Sequence, residues 1–211
     1  MEFIHPSAEK YVASFSSQED ELLQQINEQT QLHAHAHMLS GQVQGNFLTL
    51  LSTLAKPKYI LEIGTFTGYS ALCLAKGLVP DGELHTIEIR EEDAAIAKEN
   101  FKKSKHAYQL NLHIGNALSI IPTLPYEWDI VFIDADKTAY IEYYEMIVPK
   151  LNKDGIIIAD NVLFHGQVLE ETIKGKNAIA IHAFNEHVAN DNRTEKVLLT
   201  IRDGLSIIRK K

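Results

Sequence analysis

Two short segments, Phe132-Ile133-Asp134-Ala135-Asp136-Lys137 and Ile158-Ala159-Asp160-Asn161, carry residue types able to do chemistry. Each closes an apolar run, 128–133 and 155–159, that reads as a buried parallel strand, and each sets oxygen ligands at the strand's carboxyl end. Neighbouring parallel strands lie about 4.8 Å apart, so Asp134, Asp160 and the amide of Asn161 can converge on one point. Hard oxygen donors with no Cys or His beside them suit Mg²⁺, with Ca²⁺ and Mn²⁺ as alternatives, rather than zinc. Lys137 places an amine beside that cation as a candidate base. Asp and Asn are common where strands give way to loops, and one such segment alone would read that way. Two in consecutive strand units favour a metal site.

The elements that must position these segments alternate along the chain. Helices are expected over 7–31 and 45–54, then strand 59–63, helix 69–78, strand 83–87, helix 91–104 and strand 110–114. A short helix near 117–121 precedes strand 128–133, helix 139–148, strand 155–159 and a helix near 177–189. Apolar strands alternating with amphipathic helices predict an α/β fold with a parallel sheet covered on both faces. The end differs: 194–202 and 205–209 read as strands joined by Asp203-Gly204, a hairpin signal that turns the last strand antiparallel. No repeat or linker divides the chain, so 1–211 is expected as a single domain, with N-terminal helices over 1–55 and an α/β core over 56–211.

At 211 residues such a domain buries about 70% of its unfolded surface. A net charge of −8 argues against a broad electrostatic grip on nucleic acid. The single cysteine, Cys73, lies in an apolar helical stretch, which excludes a disulfide framework and a thiolate metal set. The N-terminus has no apolar signal-peptide core, and no run approaches the ~20 apolar residues that span a bilayer. A cytoplasmic protein without a membrane partner is the expectation, and Asn192-Arg193-Thr194 is then a chance sequon.

In sheets of this kind ligands bind outside the strands' carboxyl ends. The first strand leads into Leu61-Glu62-Ile63-Gly64-Thr65-Phe66-Thr67-Gly68-Tyr69-Ser70, whose glycines permit a tight turn and close approach of a ligand. The order is not G-x-G-x-x-G, and the acid before the first glycine suits a ligand carrying an amine better than a pyrophosphate. Glu88 ends the second strand, the usual position of an acid bonding ribose hydroxyls. Glu62, Gly64 and Glu88 together favour an adenosine ligand with an amino-acid tail, against the plainer reading of a strand–turn–helix junction. Gly115-Asn116-Ala117 follows the third strand, where it can frame an adenine edge.

LEIGTFTGYSAL, the acid of TIEI, GNAL, FIDADK and IIADN stand in an order and spacing that resemble the cation-dependent S-adenosylmethionine O-methyltransferases. This group includes the catechol and caffeoyl-CoA O-methyltransferases and small bacterial relatives. The resemblance spans about 38–211 and implies a Rossmann-like class I methyltransferase fold with a seven-stranded, mostly parallel sheet and an antiparallel C-terminal strand. It implies that Asp134, Asp160 and Asn161 hold the metal, and that Glu62, Gly64, Thr65, Ser70, Glu88, Ala117, Asp134 and Asp136 surround S-adenosylmethionine. Lys137 matches the family's general base, 38–44 matches a lid over the cofactor, and a homodimer is the implied assembly. Asn116 departs from a common Asp, and Phe164 from a common Trp.

The acceptor follows as a catechol-type small molecule such as caffeate or protocatechuate. The alternatives are 5-hydroxyuridine at a tRNA wobble position, with the same chemistry, and a non-catalytic binding module. His33, His35 and His37 alternate with alanines and read as solvated rather than metal-binding. Tyr140, Tyr143 and Tyr144 read equally as pocket lining or half-buried packing. His165 reads as a substrate contact or an exposed loop residue, and 91–93 as acids favouring a helix N-terminus. Arg209, Lys210 and Lys211 read as a solvated tail.

Overall fold

The computed structural model describes residues 5–211. Seven strands form one sheet: β1 (Tyr59–Ile63), β2 (Glu83–Glu88), β3 (Leu110–Ile114), β4 (Trp128–Ile133), β5 (Leu151–Asp160), β6 (Thr194–Leu199) and β7 (Leu205–Lys210). Their order is β3-β2-β1-β4-β5-β7-β6. The first five pair in parallel, and β7 lies antiparallel between β5 and β6. The helices are α1 (Pro6–Ser14), α2 (Glu21–Thr30), α3 (Gly41–Ala55), α4 (Tyr69–Ala75), α5 (Glu91–Lys102), α6 (Ala117–Ile120), α7 (Tyr140–Ile147) and α8 (Lys176–Asn190). Among the described residues no helix is long and apolar enough to cross a membrane.

The period of two along each strand divides the core. Leu61, Ile63, Val131, Ile133, Ile157 and Ala159 pack with Tyr140, Tyr144 and Phe184 of α7 and α8. Ile60, Ile130, Phe132 and Ile158 pack on the other face with Leu48 of α3, Leu72 of α4 and Phe101 of α5. Trp128, Phe132 and Tyr140 are among the largest fully buried side chains, so both layers are filled by bulky groups.

Several expected boundaries shift, three of them with a structural reason. The helix expected over 7–31 divides at 15–20, because Asp20 caps a new helix by accepting the Leu23 N–H at 3.0 Å. Strand β5 starts at Leu151 rather than 155, across a register irregularity against β4. The last two strands are joined by a five-residue turn, 200–204, rather than by Asp203-Gly204 alone.

Strand order reverses between β1 and β4, and there two backbones almost touch. A Cβ on Gly64 would lie 2.0 Å from the Asp134 carbonyl oxygen, and Gly64 has φ +98°. Only glycine fits, and the Asp134 N–H donates to Ile63 O at 2.9 Å across the same gap. The Gly64 loop and the Asp134 segment are thereby held at one crevice.

Candidate active site

A cavity of about 590 Å³ opens at the carboxyl ends of the parallel strands. Gly64, Thr65, Ser70, Glu88 and Ala117 line one end of it, from the glycine loop and the ends of β2 and β3. Asp134, Asp136 and Lys137 reach it from the end of β4, and Asp160 and Asn161 from the end of β5. Seven non-glycine residues have positive φ among the described residues, and five of them line this cavity: Phe66, Asn161, Phe164, His165 and Arg202. Left-handed backbone at bulky residues costs free energy, and its concentration here marks a built site.

Asp134 follows β4 and Asp160 ends β5, and these strands pair as neighbours with Ile133 opposite Ala159. Lys137 Nζ donates to Asp134 Oδ1 at 2.7 Å and to the Tyr140 hydroxyl at 2.7 Å. Tyr140 in turn donates toward the carbonyls of Ile133 and Asp160, at 3.2 and 3.0 Å. The tyrosine is a buried strut beneath the ammonium rather than a pocket wall. Burial works to lower the Lys137 pKa, but the charges of Asp134 and Asp160 outweigh it and the amine is raised overall. Burial and the Asp134 charge push the Asp160 carboxyl up to about 6, against the opposing pull of Lys137, Gln44 and Arg202. Asp160 Oδ1 accepts its neighbour's N–H, from Asn161, at 2.7 Å, and Oδ2 accepts the Gln44 amide at 2.6 Å. No group of three or more His, Cys, Asp or Glu side chains able to hold a metal occurs among the described residues. The expected ligand set is instead two carboxylates and an amide.

At the glycine-loop end Glu88 binds protein through both carboxylate oxygens. Its Oε2 accepts the N–H groups of Thr65 and Phe66 at 3.2 and 2.7 Å, and its Oε1 those of Ile89 and Arg90, both at 2.9 Å. Glu62 does not reach the wall of the cavity. It is fully buried on the α3–α4 face, where Thr86 donates to its Oε2 at 2.5 Å. Burial, with smaller contributions from the Asp134 and Glu88 charges, pushes its carboxyl up to about 8, although hydrogen bonds from Ser70 and Thr86 oppose the shift. Asn116 caps α6 by accepting the Leu118 N–H at 2.9 Å.

His37, Met38, Leu39 and Ser40, from the segment 38–44 expected as a lid and its neighbour, line one side of the cavity. His33 is not simply solvated: its Nε2 lies 3.3 Å from Asp93 Oδ1, and its ring meets Phe66 edge-on at 5.1 Å. His35 and His37 are exposed. Asp93 is buried and pairs with Arg90 at 2.6 Å, so it does more than favour the start of α5. Tyr143, Phe164 and the exposed His165 line the cavity, whereas Tyr144 donates to Asp191 at 2.8 Å behind α7. Arg209 in β7 pairs with Asp154 of β5 and Glu195 of β6, so it bridges the two flanking strands rather than belonging to a solvated tail. Gln44, Arg202 and Asn177 also face the site, through contacts or cavity wall, without a sequence signal that singles them out.

Comparison with known proteins agrees with this geometry. The O-methyltransferase family model matches residues 13–211. The catechol O-methyltransferase of Niastella koreensis is 33% identical over 202 residues, covering 93% of this chain and 90% of the relative. A probable caffeoyl-CoA O-methyltransferase of Dictyostelium discoideum is 35% identical over 196 residues, covering 90% of this chain and 84% of the relative. The solved O-methyltransferase TomG of Streptomyces achromogenes, in complex with SAM, superposes with a TM-score of 0.90 at 29% identity, over 97% of this chain and 96% of TomG. With the fold, the crevice and the family match in agreement, the chain belongs to the O-methyltransferase family and is an enzyme of it.

Proposed function

We propose that this enzyme transfers the methyl group of S-adenosylmethionine to one hydroxyl of a small catechol-type acceptor such as caffeate or protocatechuate, with Mg²⁺ as the assisting cation. The observation that carries the reading is the convergence of Asp134, Asp160 and Lys137 on one wall of a cavity whose other end is the Gly64 loop. The donor set suits a hard divalent ion. Two carboxylates sit close enough for the Asp134 charge to raise buried Asp160, and the nearest additional ligand, Asn161, supplies oxygen. Such a cation, when bound, makes an acceptor hydroxyl more acidic. Mn²⁺ and Ca²⁺ suit the same ligands.

The chain's own residues do the rest. The Gly64–Ser70 loop lets main-chain N–H groups approach the donor, and Glu88, Ala117 and Asp136 border the adenosine end of the same space. Glu62, one layer behind, stands as a buried, protonated carboxyl supporting the loop rather than as a direct wall contact. Lys137 Nζ, held as an ammonium by the Asp134 and Asp160 charges, would accept the proton of the reacting hydroxyl once a bound cation offsets those charges, with Tyr140 steadying it. The freed oxygen pair forms the O–C bond as the C–S bond breaks toward sulfur. That displacement needs alignment more than covalent help from the protein, so positioning supplies much of the acceleration.

Mass spectrometry of products from a panel of catechols and from bulk tRNA, each with S-adenosylmethionine and Mg²⁺, tests the reading. Singly methylated catechols are expected. Methylated 5-hydroxyuridine with every free catechol inert would replace it with the tRNA reading. A second copy of the chain is part of this proposal, and sedimentation velocity tests it.

A further inference from the structure

Arg90, Lys137 and Arg202 are the Lys and Arg side chains that line the cavity. Two of them are neutralised locally, Arg90 by Asp93 at 2.6 Å and Lys137 by Asp134 at 2.7 Å. Arg202 has no ion pair within the described residues; its hydrogen bond runs from Nη1 to the Gln44 Oε1 at 3.1 Å. A guanidinium carries five N–H donors in a flat fork, so most of its bonding capacity faces elsewhere.

Gln44 explains why that charge stays uncommitted. Its fully buried amide donates to Asp160 Oδ2 at 2.6 Å while accepting from Arg202. The amide acts as a spacer that keeps the guanidinium beside the Asp160 carboxylate without pairing with it. The backbone presenting Arg202 is also fixed. It has φ 49°, and the 200–204 turn is stitched to the segment after β5 by the N–H groups of Val162, Leu163 and His165, which donate to Gly204 O, Asp203 O and Asp203 Oδ1 at 3.2, 2.9 and 2.6 Å. A strained residue held by such stitching is pre-organised for a ligand.

We propose that Arg202 determines acceptor specificity by binding a carboxylate carried on the catechol ring, so that acidic catechols are preferred over neutral ones. This inference rests on the catechol reading above. A planar guanidinium matches a carboxylate through paired N–H contacts. The side chain stands one amide away from Asp160, within the cavity, so the anion it meets belongs to the ring substituent itself rather than to a distant part of a long acceptor. Tyr143 and Phe164 supply the aromatic wall for the ring.

The test compares 3,4-dihydroxybenzoate with its methyl ester, which differ in charge but not in the catechol. The wild-type enzyme is expected to favour the acid in kcat/KM by about 10–100-fold, the range of a charge-assisted hydrogen bond. Arg202→Gln is expected to collapse that ratio toward one, chiefly through KM, and Arg202→Lys to restore part of it. Calorimetric titration of the acid into protein loaded with S-adenosylhomocysteine and Mg²⁺ is expected to show the same fold-loss in affinity, with melting curves checking that each variant folds. If Arg202→Gln does not fold, Arg202→Lys carries the comparison alone. An acid-to-ester ratio that no variant alters overturns the inference and leaves Arg202 acting only through Gln44. Equal wild-type rates on both compounds overturn it while sparing the catechol reading. Methyl transfer to neither compound sinks both.

Discussion

Glu88 Oε2 accepts the main-chain N–H of Phe66 at 2.7 Å, and this bond ties the end of β2 to the glycine loop that follows β1. Thr65, Ile89 and Arg90 donate to the same carboxylate, so one side chain organises both loops of the donor end. Glu88→Ala is expected to weaken S-adenosylmethionine binding by about 1–3 kcal/mol, through loss of charge-assisted bonds and of loop order. Calorimetry with S-adenosylhomocysteine reads it directly. Unchanged affinity would remove Glu88 from the donor site, and tight NAD binding would contradict the donor assignment.

The ligand set Asp134, Asp160 and Asn161 predicts dependence on a divalent cation. EDTA is expected to abolish turnover, and Mg²⁺ or Mn²⁺ to restore it. Asp160→Ala should remove turnover yet keep most donor affinity, because Asp160 lies at the end of β5, hydrogen-bonded to Gln44 and away from the Gly64 and Glu88 loops. Full activity of a chelator-treated, metal-free preparation would end the cation proposal.

Glu62 gives the apoprotein a pH signature. Burial first, then the Asp134 and Glu88 charges, move its carboxyl from an ordinary 4.5 up to about 8. The folded chain therefore holds a proton that the unfolded chain releases above 4.5. Stability linked to this group is complete below 4.5, falls by up to about 1.4 kcal/mol per pH unit above it, and is lost by the time pH passes 8. Glu62→Gln, which cannot ionise, should melt higher relative to wild type as pH rises from 5 to 8. Parallel melting curves across that window would show that Glu62 is not protonated in the fold.

Asp134 and Asp160 were legible because each stands where an apolar run stops, and a strand's end fixes where its next residue points. The sheet was legible for the same reason, since β1, β3 and β4 start and stop at the expected residues. Gln44 and Arg202 were not. Gln44 meets Asp160 across 116 residues of chain, and Arg202 meets Gln44 across 158. No local spacing reports contacts of that separation. Glu62, expected around S-adenosylmethionine, lies buried just behind the cavity wall, because the period of two places it with Ile60 on the α3–α4 face. The break in the first helix followed from Asp20, whose capping bond competes with an otherwise continuous helical pattern.

Lys137 and its strut Tyr140 separate proton transfer from binding. Lys137→Ala removes the proposed acceptor of the hydroxyl proton, so kcat should fall by about 10²–10⁴-fold, with a smaller change in KM. Tyr140→Phe leaves the amine but removes the hydroxyl that accepts from Nζ at 2.7 Å. It should lower kcat less, and it should also cost stability, because the Ile133 and Asp160 carbonyls lose a buried donor. Acceptors with one hydroxyl complete the test: a site that holds one oxygen while a neighbouring one reacts should methylate catechols and leave phenols of similar size untouched. Equal rates on catechols and simple phenols would refute the paired-oxygen requirement. A Lys137→Ala enzyme with wild-type kcat would reassign the base.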